Sequence, residues 1–145
     1  MISDKDKAIF RLMRNNARIN LTDISKSTGI PVSTIYDRVK ANEKLFVKKH
    51  TTLIDFSKLG YNAKALIALK VSYEQREMLM KFLLEHGNVN SLYRINYGLD
   101  FLVEVIFPDI SHVESFIEQI EHSFDIKQRH IFNVLEDIKR EVFWK

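Results

Sequence analysis

The sequence predicts an α+β fold: a three-helix N-terminal domain containing a helix-turn-helix, followed by a ferredoxin-like βαββαβ domain. Three observations predict it. Apolar residues recur at helical spacing through the first 46 residues. From residue 63 the spacing alternates in the order strand, helix, strand, strand, helix, strand. Charge divides along the same line, with 11 Lys+Arg against 6 Asp+Glu in residues 1–56 and 11 against 13 in residues 57–145.

The first helix starts at Ser3, which has Asp6 three residues later as in a capping box. Ile9, Leu12 and Met13 share its apolar face, and Asn16 and Ala17 end it. Asn20 with Asp23 repeats the capping signal, and Leu21 and Ile24 form the next apolar face. Gly29 breaks that pattern, leaving Ile30 as the single apolar residue of the turn. A third helix begins at Pro31, whose missing N–H costs nothing in a first turn. Ile35 and Val39 are its buried stripe. Residues 46–56 are rich in β-branched and aromatic side chains and predict a strand leaving the helices. The expected boundaries are 1–46 for the helical domain, 47–61 for a hinge strand and linker, and 62–145 for the second domain.

In the second domain, residues 63–73 predict a strand with Ala65, Ile67, Leu69 and Val71 on one side and Leu66 and Ala68 on the other. Residues 74–86 predict a helix with Met78, Leu79, Phe82 and Leu83 inward. Residues 89–97 and 101–107 predict two strands around a tight turn at Gly98. Residues 109–123 predict a helix with Val113, Phe116, Ile117 and Ile120 on one stripe, and residues 126–135 a last strand. A βαββαβ sheet has helices on one face only. Leu66, Ala68, Leu102 and Ile106 fall on the other face, which a second copy or the N-terminal helices must cover.

Composition excludes several classes. There is no cysteine, hence no disulfide framework and no thiolate metal site. No apolar run approaches the ~20 residues that span a membrane. The N-terminus is charged from Asp4 onward and lacks a signal core, so a cytoplasmic protein is expected. The five histidines (His50, His86, His112, His122 and His130) have no metal-binding spacing, and neither a P-loop nor a Gly-rich dinucleotide turn occurs. No metal, cofactor or catalytic role is expected. The basic N-terminal third predicts a polyanionic partner.

Several segments, taken in order, resemble one family. They are Asp4-Lys5-Asp6-Lys7, Asn16-Ala17-Arg18-Ile19, Ser27-Thr28-Gly29-Ile30 and Val32-Ser33-Thr34-Ile35-Tyr36-Asp37-Arg38-Val39-Lys40. Ile54-Asp55-Phe56-Ser57-Lys58-Leu59-Gly60-Tyr61 and Gly98-Leu99-Asp100 follow. The chain is similar through nearly its whole length to the Lrp/AsnC (feast/famine) transcription regulators. The resemblance implies a (winged) helix-turn-helix on double-stranded DNA, a homodimer or octamer, and a second domain that senses an amino acid. It also implies an effector pocket bordered by Tyr97, Gly98, Leu99 and Asp100. There Asp100 takes a ligand amino group, or else simply caps the tight turn. The chain departs from the family pattern at Pro31, where Ser or Thr is usual. It also lacks a glycine across residues 42–47, carries Tyr97 where a glycine is usual, and has an apolar tail at Val142, Phe143 and Trp144. Two alternatives remain: an interaction module of the same fold without DNA binding, and an enzyme like the sirohaem decarboxylases, which share the layout.

In a helix-turn-helix the second helix of the pair lies in the major groove. Ser25 supplies the small residue where the helices touch, Gly29 the turn residue tolerant of positive φ, and Ile30 the buried anchor. The side left over on the third helix holds Val32, Ser33, Thr34, Tyr36, Asp37 and Arg38 as contacts to DNA. Arg38 suits guanine, read bidentately, and Asp37 suits orienting Arg38. Lys26, Lys40, Lys44, Lys48 and Lys49 suit phosphates. Each has a structural alternative: Arg38 pairing with Asp37 or Glu43, Tyr36 as a packed aromatic, and the lysines as a solvated face.

Overall fold

The computed structural model describes residues 2–144, which divide into two compact units. One unit holds the chain up to Leu53 together with the tail from Ile138; the other is Ile54–Asp137.

The helical unit contains α1 (Asp4–Asn15), α2 (Leu21–Thr28) and α3 (Val32–Phe46). The Ser3 hydroxyl accepts from the Asp6 N–H (3.1 Å) and the Asp6 carboxylate from the Ser3 N–H (3.2 Å), closing the expected capping box. Asn20 caps α2 by accepting from the Asp23 N–H at 2.8 Å. Gly29 ends that helix at φ 72°, and its N–H reaches the Ser25 carbonyl at 2.8 Å. A side chain there would add ~1–2 kcal/mol of strain. Pro31 lies just before the first turn of α3, with its φ of −58° already suited to the helix. Ile9, Ile24, Ile30 and Ile35 form the core, ringed by Leu12, Met13, Ile19, Leu21 and Val39. Full burial of each isoleucine contributes ~1.5–3 kcal/mol, and this apolar centre holds three short helices that would be marginal alone.

The strand expected over residues 46–56 is absent. Phe46 is the last residue of α3 and packs edge-on against Phe10 at 5.6 Å between ring centres. Residues 47–55 carry no regular structure, and a 3-10 turn, Phe56–Leu59, ends at Gly60 with φ 89°. β-Branched side chains favour a strand only where a neighbouring strand accepts its hydrogen bonds, and none lies alongside within the described residues.

The second unit has the expected βαββαβ order, with β1 (Ala63–Val71), α4 (Arg76–Glu85), β2 (Val89–Arg94), β3 (Phe101–Phe107), α5 (Ile110–Ser123) and β4 (Ile126–Asn133). Its antiparallel sheet runs β2-β3-β1-β4, with Ile67 opposite Val103 and Ile131. The alternation in β1 holds: Ala65, Ile67, Leu69 and Val71 face the helices. They pack with Val103, Val105, Leu79, Leu83, Phe116 and Ile120. Met78, expected inward, is 62% exposed, because α4 turns Leu79 and Leu83, with Phe82 and Met80, to the core, and Met78 falls outside that stripe. On the helix-free face Ala68 lies opposite Leu102 and Lys64 opposite Ile106. Ala68 and Ile106 are already buried within one chain, whereas Leu66 and Leu102 are half-buried.

Residues from Ile138 group with the helices, where Glu141 pairs with Arg14 at 2.8 Å and Arg11 lies 5.9 Å from the Trp144 ring centre.

Candidate nucleic-acid interface

Opposite Ile35, which is fully buried, α3 carries Ser33, Asp37, Lys40 and Lys44. Their offsets of four, seven and eleven residues set them in one line along the helix. All four are exposed, and Val32 and Tyr36 flank them. The Lys40 ammonium sits 5.8 Å from the Tyr36 ring centre. Thr34 is half-buried at the edge of this side. Lys26 on α2 and Lys44, Lys48 and Lys49 are exposed.

Arg38 does not belong to that line. Its Nη1 donates to the Asp6 carboxylate (3.0 Å) and to the Ser3 hydroxyl (3.0 Å). Asn42, one turn further on, also donates to Asp6, at 3.3 Å. Arg38 is therefore a clamp from α3 to the start of α1, with neither Asp37 nor Glu43 as its partner. The Ser3 hydroxyl, and after it the Arg38 guanidinium, hold the buried Asp6 carboxyl below the usual carboxylate range, against the opposing effect of burial. Asp37, expected to orient Arg38, has no such role. The sequence announced Asp6 only as a helix cap, because nothing local reveals that it meets a residue 32 positions away.

At the other expected site, Asn96–Leu99 forms a two-residue hairpin turn between β2 and β3, and the Leu99 N–H reaches the Asn96 carbonyl at 3.3 Å. Tyr97 (φ 65°) and Gly98 (φ 70°) are both left-handed, as a type I′ turn requires. The Tyr97 side chain is 94% exposed and Leu99 is half-buried. Asp100 does not cap this turn. Its buried carboxylate accepts from the Val71 N–H at 2.9 Å and lies 2.9 Å from Arg76 Nε, while its own N–H donates to the Leu69 carbonyl. The Arg76 Nε–H is not aligned for a hydrogen bond, so that contact is one of charge. Arg76 in turn stacks on Tyr73 at 5.1 Å. Arg76 was not singled out by sequence, since its pairing with Asp100 across 24 positions has no local signature.

No group of three metal-ligating side chains occurs among the described residues, and no helix is long and apolar enough to cross a membrane.

Residues 2–41 match a family model described as winged helix-turn-helix DNA-binding, and residues 64–142 match one described as the Lrp/AsnC ligand binding domain. The chain is 26% identical over 137 residues to the HTH-type transcriptional regulator FL11 of Pyrococcus furiosus, covering 94% of this chain and 91% of that protein. It is 30% identical over 121 residues to the transcriptional regulator AzlB of Bacillus subtilis, covering 81% and 77%. Among solved structures, a transcriptional regulator of Neisseria meningitidis in complex with L-Met superposes with a TM-score of 0.88 at 19% identity, covering 97% of this chain and 94% of that one. Escherichia coli AsnC superposes at 0.84 and 18% identity, covering 97% and 96%.

Proposed function

Because the chain belongs to the Lrp/AsnC family of transcription regulators, we propose that the exposed line of α3 enters the major groove of duplex DNA while Lys26, Lys48 and Lys49 hold phosphates. The protein is a DNA-binding regulator with a ligand-binding domain. One observation carries the assignment of residues: the side of α3 opposite Ile35 is exposed, polar and bears Ser33, Asp37, Lys40 and Lys44, with Val32 and Tyr36 beside it. The one arginine of the helix is turned away from that side to Asp6. Arg38 accordingly fixes the angle of α3 rather than reading a base.

One such unit covers only a few base pairs, and non-specific phosphate contact alone gives weak binding, on the order of 10⁻⁴–10⁻⁶ M. Two copies joined through the helix-free face around Leu66, Ala68, Leu102 and Ile106 read two half-sites about one helical turn apart. A dimer is the smallest assembly that serves this, and an octamer repeats it. The effector is an amino acid, a reading supported by the L-Met complex of the neisserial regulator. It meets the turn through Tyr97, Gly98 and Leu99, while Asp100, already engaged, holds the turn against β1. The protein works in the cytoplasm beside the DNA it regulates, and no catalytic step is assigned to it.

Fluorescence anisotropy with duplex DNA over a salt series tests this. Affinity is expected to fall steeply with salt, and Lys26→Ala or Lys48→Ala each to reduce the slope by ~1 while weakening all sequences alike. Binding that ignores salt, or no binding at low salt, overturns the reading.

A further inference from the structure

We infer that Asp37 reads a base, and that it commits each half-site to a cytosine. This rests on the major-groove placement of α3 proposed above. Asp37 lies in the middle of the exposed line, one turn after Ser33 and one turn before Lys40 and Ala41. Its natural neutralising partner, the adjacent Arg38, is held by Asp6 and Ser3. The nearby Lys40 ammonium is placed over the Tyr36 ring. Among the described residues the Asp37 carboxylate receives no hydrogen bond and no ion pair.

A bare carboxylate on that surface has two fates. Facing the backbone, it meets one negative charge per ~1.7 Å of helix axis and is repelled. Facing the base edges, it loses water and must find donors, since it can only accept. Major-groove edges differ in what they offer a pure acceptor. Guanine presents N7 and O6, both acceptors. Thymine presents O4 and a methyl group. Adenine presents its N6 amino group beside the N7 acceptor, which repels a second oxygen. Cytosine alone presents an amino group, N4, with no acceptor next to it on its own edge. The position on the helix favours the groove over the backbone. Base contacts come from the N-terminal part of a recognition helix. Asp37 is the sixth residue of the fifteen-residue α3 and so lies in its N-terminal half.

The test is selection of bound duplexes from a random library by the full-length protein, alongside Asp37→Ala and Asp37→Asn. These are substitutions of an exposed residue outside the core. The wild type is expected to fix a C·G pair at one position of each half-site, discriminating by about 5- to 100-fold in anisotropy titrations of single-pair variants. Asp37→Ala is expected to lose preference at that position alone. Asp37→Asn is expected to move it toward adenine, whose N6 and N7 suit a side-chain amide. If Asp37→Ala instead tightens binding to every duplex by one factor and leaves the selected sequence unchanged, the carboxylate only repels phosphate and the inference falls. A wild-type chain that retains no duplex at low salt overturns the function proposed above, a distinct failure that removes this inference with it.

Discussion

Arg38 is the residue whose role changes most between sequence and structure. It is half-buried, and its guanidinium closes onto Asp6, Ser3 and, through Asp6, Asn42. Arg38→Ala is therefore expected to destabilise the helical unit by ~1–3 kcal/mol, because it leaves Asp6 buried without its cation. The same variant is expected to weaken all duplexes in equal proportion. Thermal unfolding by circular dichroism, with binding to selected and scrambled duplexes, checks both, and a loss confined to one base position would return Arg38 to the groove. His86 carries a second residue-scale expectation. It sits among Phe82, Phe107 and Phe116, whose ring centres lie 5.6, 6.2 and 4.8 Å away, and burial lowers its pKa from the usual 6.5. The Asn88 N–H donates to its Nδ1 at 3.2 Å, using the lone pair that a proton would need. The unfolded chain thus binds a proton at a pH where the folded chain does not. Stability is complete above the unfolded value of 6.5 and declines as pH falls through it toward the lower folded value. Urea unfolding between pH ~7.5 and ~5 should follow this slope, and His86→Gln, which keeps an acceptor but does not titrate, should flatten it.

Among the elements, the hairpin between β2 and β3 sets local preference against conformation. A type I′ turn needs positive φ at both central residues, and Asn-Gly meets that need best. The chain supplies Tyr97-Gly98, with Tyr97 at φ 65° and its ring almost wholly in water. A tyrosine in that region costs ~1 kcal/mol or more and gains no packing in return. Tyr97→Asn is expected to raise the melting temperature by a few degrees, on the order of 4 °C for a domain of this size. If calorimetry shows a fall, the aromatic ring stabilises the turn in a way that its exposure does not reveal. The recognition element α3 shows the opposite balance. It lacks a glycine at its end, yet stops at Phe46, where Val47 turns to extended backbone (φ −95°, ψ 112°) and Phe46 packs on Phe10.

At the scale of the molecule, the proposed assembly rests on the helix-free face of the sheet. Leu66 and Leu102 are half-buried there, and Tyr93 and Phe132 are more than half exposed. The register brings Leu66 beside Phe132 and Leu102 beside Tyr93. A sheet face of that character left in water is costly, ~25 cal/mol per Å² of apolar surface. Leu66→Asp is expected to convert the proposed dimer to monomer in sedimentation velocity and to weaken specific DNA binding more than non-specific binding. A wild-type chain that sediments as a monomer at micromolar concentration would remove the face from the account of assembly.

Sequence alone determined what depends on residues close together in the chain. The caps at Ser3 and Asn20 were legible because their acceptors bond N–H groups three residues on. The alternation in β1 was legible because successive strand side chains point to opposite faces. The outward side of α3 followed from Ile35 and Val39 only in part: Ser33 and Asp37 are exposed as expected, whereas Arg38, placed with them, closes onto Asp6. Only the tertiary structure decided which polar groups met across long separations: Arg38 with Asp6, Asp100 with Val71 and Arg76, and Glu141 with Arg14. It also left residues 47–55 without the strand their side chains favour, for want of a neighbour. Hydrogen bonds and ion pairs act over a few ångströms of space, and periodicity along a chain records which face a residue shares but not what that face will touch.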